Sequence, residues 1–333
     1  MDLYRIKTIA AKEVRDHVTS SRFLALLFLL LAFCGVYLFR ETGSYLAEFG
    51  RYGANPLYPF FSLPYSINIF EGIRGALGGS SIFGSIIAIA LGFDLITKEK
   101  ESGSIKAILS VPVYRDEIIN GKALGGIIVI AIATTILFVL ALAILLLHSI
   151  VSRISELGYL FVFWIFTVLF LSGIFTMSLM MSTLTKKSGM SLILSLLGLL
   201  LITSVIYTVG DYTASTILGP DPALEYKNLE NTDYETLQEL SAGYYEKKEA
   251  IMQISYYLTI SGDYARLSRV FLKPQDSKLT NLDDLDDERR NDRTLPPVGE
   301  VLAPMWGYVL FLIAYPIAFF GIAYVKFMRM DLR

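Results

Sequence analysis

Cysteine, histidine and charge are all scarce in this chain of 333 residues. Cys34 is the only cysteine, so no disulfide can form within one chain. His17 and His148 are the only histidines, and they lie far apart in the sequence. A zinc site of the usual kind needs three or four clustered His, Cys or carboxylate ligands, so no metal residue is assigned. Charged residues make up 18% of the chain, against about a quarter in an average soluble domain. Catalytic signatures are missing as well. The nearest approach to a phosphate-binding loop, Asn120-Gly121-Lys122-Ala123, lacks both the upstream glycine and the hydroxyl after the lysine, so the chain cannot hold ATP in that manner. Neither H-E-x-x-H nor G-x-S-x-G occurs. No catalytic or cofactor-binding residue is assigned, and the chain reads as non-enzymatic, with no role for nucleic acid.

What the chain does have is long apolar runs. Its mean hydropathy is +0.53. Six blocks carry most of that value: Phe23 to Phe39, Leu77 to Ile96, Leu124 to Leu147, Leu157 to Thr183, Ser188 to Val209 and Val301 to Phe327. Each approaches the roughly 20 apolar residues that cross a bilayer. In hydrocarbon every backbone N–H and C=O must be paired within its own segment, which selects helices. A closed β-barrel would alternate in segments of about ten residues instead. The expected fold is therefore an all-α integral membrane protein of six transmembrane helices. The first block follows 22 residues without a basic start or a small-residue cleavage site, so it reads as a retained helix.

Orientation follows from lysine and arginine in the short connections. Arg5, Lys7, Lys12, Arg15 and Arg22 precede the first block, and Lys98, Lys100, Lys106, Arg115 and Lys122 follow the second. Lys186 and Lys187 follow the fourth, and Lys326, Arg329 and Arg333 follow the sixth. The other side has only Arg40, Arg51, Arg74 and Arg153 in its short connections. Both termini are expected in the cytoplasm of a multi-pass protein of the cell membrane.

Three parts follow: residues 1–209 with the first five helices, an outer segment 210–303, and residues 304–333 with the sixth helix and a tail. The outer segment is acidic, with a net charge of about −8. Its first part, Asp221 to Leu272, has helical apolar spacing, and Ser261-Gly262-Asp263 is expected to interrupt it. Lys273 to Pro297 is polar and is expected to be mobile. Within the apolar blocks Asp94 is the one clear ionisable residue, expected to reach water or pair with Lys98. Glu71 and Arg74 are spaced to pair. Gly75 and Gly79, and Gly121 and Gly125, are spaced for close helix packing. Ser81, Ser85, Thr203 and Tyr207 form a possible translocation path.

The connection 97–123 is the most informative text. Ile105, Ala107, Ile108 and Leu109 give a short apolar helix between charged elements, and Ser110 and Pro112 mark a break. Such an amphipathic element suits a lipid surface or a groove on a cytosolic protein. Glu101, Ser102, Gly103, Ser104, Lys106, Leu109, Ser110, Pro112, Val113, Arg115, Gly121 and Lys122 together resemble the coupling segment of type-2 ABC exporter permeases. Lys12 to Asp16 resembles the family's opening helix. The subgroup with a large outer segment before the last helix, including the permease of nitrous-oxide reductase maturation, looks nearest. The resemblance implies two permease copies and a separate ATP-binding subunit that holds the ATP and magnesium. It also implies a coupling role for Glu99, Glu101, Ser102, Gly103, Lys106, Leu109, Pro112 and Arg115. A membrane anchor or mechanical transmitter acting on an outer partner is the alternative.

Overall fold

The structure, a computed structural model, describes residues 2–54, 64–79, 82–103, 114–221, 234–274 and 295–330. Those residues are helical almost throughout, with no strand among them. Ten helices are numbered here in chain order. α1 (Leu3–Val18) precedes α2 (Ser21–Ala54). α3 (Ser66–Gly78) and α4 (Phe83–Glu101) follow, then α5 (Arg115–Leu147), α6 (Ile154–Leu184) and α7 (Ser188–Leu218). α8 (Tyr234–Tyr257) and α9 (Ile260–Leu272) lead to α10 (Val298–Met328).

Five of the six apolar blocks become single helices long enough to span a bilayer: α2, α5, α6, α7 and α10. The second block differs. Its helix is broken, with α3 and α4 meeting at a bend of 53°, so six spans result only when the bent pair is taken as one. The local cause is legible. Gly78, Gly79, Ser80 and Ser81 bring four weak helix formers together at the break. The first block is also longer than expected, because its helix continues through Arg40 and Glu41 to Ala54. Within that continuation the Thr42 hydroxyl is satisfied by donating to the Leu38 carbonyl at 2.8 Å.

α6 is the centre of the bundle. Its serines fasten it to neighbours where no polar solvent competes. Ser178 donates to the Ile89 carbonyl of α4 and lies 3.2 Å from Ser195 of α7. Ser182 accepts the backbone N–H groups of Ile96 and Thr97. Outside this core, Leu124, Ile128, Ile132 and Ile136 form an exposed row on α5 at helical spacing. Exposed apolar rows of this kind belong against lipid or another subunit.

α8 and α9 form a hairpin joined at Leu258 and Thr259. Thus the helical break lies just before Ser261-Gly262-Asp263, which occupies the first turn of α9 rather than the interruption. α9 shares the apolar core with the spanning helices. Tyr264 stacks on Phe170 of α6 at 4.4 Å, and Phe271 packs against Tyr159 and Phe166. Ile260, at the hairpin tip, presses on Gly173, past the midpoint of α6. Of the stretch expected to be mobile, residues 275–294 lie outside the described residues.

Candidate functional site

Both described chain ends lie at one end of the bundle. There Arg115, which opens α5, donates to the carbonyls of Met328 and Met330 at the end of α10. α1 packs along the first turns of α5, because Gly121 and Gly125 leave room for it. A side chain on Gly125 would meet Glu13 and the Ala10 backbone, and one on Gly121 would meet Ile9. Glu117 adds a polar tie. It accepts the Asp2 backbone N–H and approaches Arg5 at 3.6 Å.

This end is organised around charge. Lys122 is buried, and its ammonium lies 2.8 Å from Glu13 of α1 and 2.7 Å from Glu99 of α4. Burying such a cation is tolerable only with paired, hydrogen-bonded anions. Glu101 accepts both the backbone N–H and the hydroxyl of Ser188 at 2.8 Å, filling the open N-terminus of α7. Lys100 donates to the carbonyls of Ser182, Thr183 and Thr185, filling the C-terminus of α6. Asp94 pairs with Arg22 of α2 through two contacts of 2.7 and 3.1 Å, not with Lys98. The guanidinium can reach it from another helix because Arg22 also anchors on the Ala90 carbonyl one turn earlier.

The coupling residues named from the sequence divide accordingly. Glu99, Glu101 and Arg115 are engaged with other helices of the same chain. Ser102 and Gly103 are exposed, and Gly103 has a φ of 70°, the left-handed conformation that ends a helix. Lys106, Leu109 and Pro112 lie outside the described residues. Lys100 and Lys122 hold these helices together and were given no coupling role from the sequence. The alternation Lys98-Glu99-Lys100-Glu101 was the available signal, since successive helical residues face different neighbours.

Beside these charges is a cavity of about 420 Å³, whose walls include Lys12, Glu13, Asp16, His17, Arg22 and Lys98. Its signs are mixed. Burial lowers the His17 pKa, and the Nε2 of that ring has no hydrogen-bond partner among the described residues.

A second pocket, of about 480 Å³, opens between α7 and the α8–α9 hairpin. Thr203 and Tyr207, two of the four path residues, line it, with Gly78 on one side and Arg266 and Arg269 on the other. Thr203 lies in a π-helical turn, Leu201–Val205, a local widening often found at functional sites. Ser85 is buried and does not line the pocket, and Ser81 lies outside the described residues. No cluster of metal ligands occurs among the described residues. Glu71 and Arg74 pair at 2.6 Å, as their spacing suggests.

The family model described as ABC-2 family transporter protein matches residues 7–332. No curated protein matches the chain.

Proposed function

Because the chain belongs to the ABC-2 family of transporter proteins and is a multi-pass permease of the cell membrane, we propose that it is the membrane-spanning subunit of an exporter driven by a separate ATP-binding subunit. Both termini face the cytoplasm in this reading. The partner subunit binds ATP and magnesium, and the connection 97–123 seats in its groove. Lys106, Leu109 and Pro112 belong to the seat. A second permease copy covers the exposed apolar faces of α2 and α7. The long segment before the last helix supports a likeness to the nitrous-oxide reductase maturation subgroup, which belongs to this proposal.

One observation carries this reading. The charges flanking the seat are each fastened to a different helix: Glu99 to α5 through Lys122, Lys100 to α6, Glu101 to α7 and Arg115 to α10. A loop that only filled space would have no need of so many ties. A loop that passes on the movement of a docked subunit needs firm attachment to the helices that must tilt. In this mechanism nucleotide-driven closure of two ATP-binding subunits shifts the seats, and the ties carry that shift into the bundle. The pocket beside Thr203 and Tyr207 favours transport over simple anchoring, because an anchor requires no cavity.

The test uses the permease purified with its ATP-binding subunit. A cysteine replacing Tyr207 reports access to the pocket through maleimide labelling with and without ATP. Lys100→Gln combined with Glu101→Gln should leave the complex assembled and hydrolysing ATP, while abolishing the ATP-dependent change in labelling. Normal ATP-dependent labelling in the double variant would refute the transmission role. Loss of the complex would instead make these charges docking residues.

A further inference from the structure

The geometry points to the pocket between α7 and the hairpin as a binding site for an organic anion with an aromatic or acyl body. This inference rests on the transporter reading only for regarding the occupant as cargo; the binding site itself is argued from the pocket's walls.

The first argument is charge. In the cavity beside Lys122, cations and carboxylates are interleaved and largely cancel. The second pocket holds two guanidinium groups, Arg266 and Arg269, against one carboxylate, Glu249. Glu249 lies mostly in solvent and is already committed to Arg266 at 2.5 Å. Arg269, one turn further along α9, is exposed, and its guanidinium has neither a hydrogen-bond nor an ion-pair partner among the described residues. The net charge available to an occupant is therefore positive.

The second argument is orientation. The Arg266 guanidinium lies over the Tyr256 ring, 4.0 Å from its centroid, and its Nη1 donates to the Tyr308 hydroxyl at 3.3 Å. Of its five N–H donors, those not used on Tyr308 and Glu249 can meet an anion. Half-burial between α8 and α10 removes part of its hydration beforehand, so an anionic group would find it with little ordering left to do.

The third argument is the remaining wall. Tyr207 and Tyr256 pack against each other with ring centroids 6.0 Å apart, and both line the pocket, which gives its wall an aromatic part. Hydroxyls of Thr203, Thr259 and Ser261 lie around the hairpin tip, and Gly78 and Gly262 contribute no side chain there. The pocket thus offers cationic, aromatic and hydroxyl-bearing walls in one space. A headless hydrocarbon would leave the Arg269 guanidinium unanswered, and an inorganic anion would leave the aromatic walls unused.

The full chain in nanodiscs of zwitterionic lipid provides the test, without the ATP-binding subunit. The probe is 1-pyrenebutyrate, read by energy transfer from tryptophan, with a pyrene carrying a butyltrimethylammonium group as its cationic match. Pyrenebutyrate should bind saturably, and the cation should not. Arg269→Gln should weaken the anion about tenfold, the scale of one charge-assisted contact. Because the Arg269 side chain has no partner among the described residues, its variant should keep the wild-type melting temperature. Arg266→Gln should weaken binding further, with Arg266→Lys only partly restoring it. Competition decides the source of the natural occupant: displacement by phosphatidic acid in the disc indicates a lipid headgroup, and displacement only by soluble aryl or acyl carboxylates indicates a free solute. Equal binding of both probes, or unchanged anion affinity in Arg269→Gln and Arg266→Gln, would overturn the site. Such a failure leaves the coupling experiment untouched, since that experiment reads ATP-dependent labelling.

Discussion

The Lys122 ammonium is hydrogen-bonded at 2.8 Å to Glu13, a residue 109 positions earlier in the chain. Glu99 approaches the same ammonium from a third element at 2.7 Å. Removing one member of a buried ion pair strands the other, at a cost of about 3–5 kcal/mol. Lys122→Met should therefore sharply lower the melting temperature and the yield of folded protein. Adding Glu13→Gln and Glu99→Gln removes the stranded charges and should recover most of the loss. Thermal unfolding in detergent with a fluorescent thiol-independent dye measures both. Equal stability of wild type and Lys122→Met would mean that the three groups are not coupled.

Asp263 should give a distinct pH signature. Its side chain is fully buried, and neither oxygen has a hydrogen-bond partner among the described residues. Burial raises its pKa from 3.8 to about 9, with Arg266 opposing the shift. The folded chain therefore holds this proton over a range where the unfolded chain releases it. The resulting stability is full below about pH 4 and is lost as the pH rises towards 9. Tyr315 on α10 is the other titratable group coupled to it. Asp263→Asn keeps the shape without the ionisation, so its melting temperature should exceed that of wild type at pH 8 and match it near pH 4. Parallel melting curves across that range would show that Asp263 does not carry this pH dependence.

The difference between what could and could not be read in advance follows the range of each interaction. Continuous apolar runs predict α2, α5, α6, α7 and α10, because membrane insertion depends on composition along one segment. The bend in the second block was present in the text as Gly78, Gly79, Ser80 and Ser81, but small residues serve equally for close packing, so the break did not follow from them. Asp94 illustrates the opposite limit. Lys98 is its neighbour in sequence, while Arg22, 72 positions away, is its partner in space. The helix-end contacts of Lys100, Glu101 and Arg115 were hidden for the same reason. Of the path residues, Thr203 and Tyr207 meet in one pocket, but only the hairpin's return into the bundle creates the opposite wall.

Gly125 sets how closely α1 can approach α5. A side chain there would come within 2.7 Å of the Glu13 Cβ and 3.1 Å of the Ala10 carbonyl. Gly125→Val should push α1 outward and part Glu13 from Lys122. Destabilisation of about 1–3 kcal/mol is expected for overpacking of this kind. Since both changes disturb one ion pair, the cost of Gly125→Val should be smaller in a Glu13→Gln/Lys122→Met background. Full additivity in that double-mutant comparison would place the strain elsewhere.

The orientation can be tested by cysteine chemistry with little background. The native Cys34 is fully buried in the core, so a charged maleimide has poor access to it. Lys7 on α1 and Lys247 on α8 are both exposed, and they belong to opposite sides in the proposed topology. The basis for that topology is local: lysine and arginine resist translocation, and they concentrate in the connections that share an end with the termini. The structure adds a constraint, because the Arg115 contact with Met330 ties the connection after α4 to the end of α10. These two segments must therefore lie on one side, whichever side it is. In intact cells, an impermeant maleimide should label Lys247→Cys at once and Lys7→Cys only after permeabilisation. The reverse result would invert the topology without separating the two segments. Labelling of both positions in intact cells would contradict the proposed topology, in which α1 and the start of α5 share one side through Asp2 and Glu117.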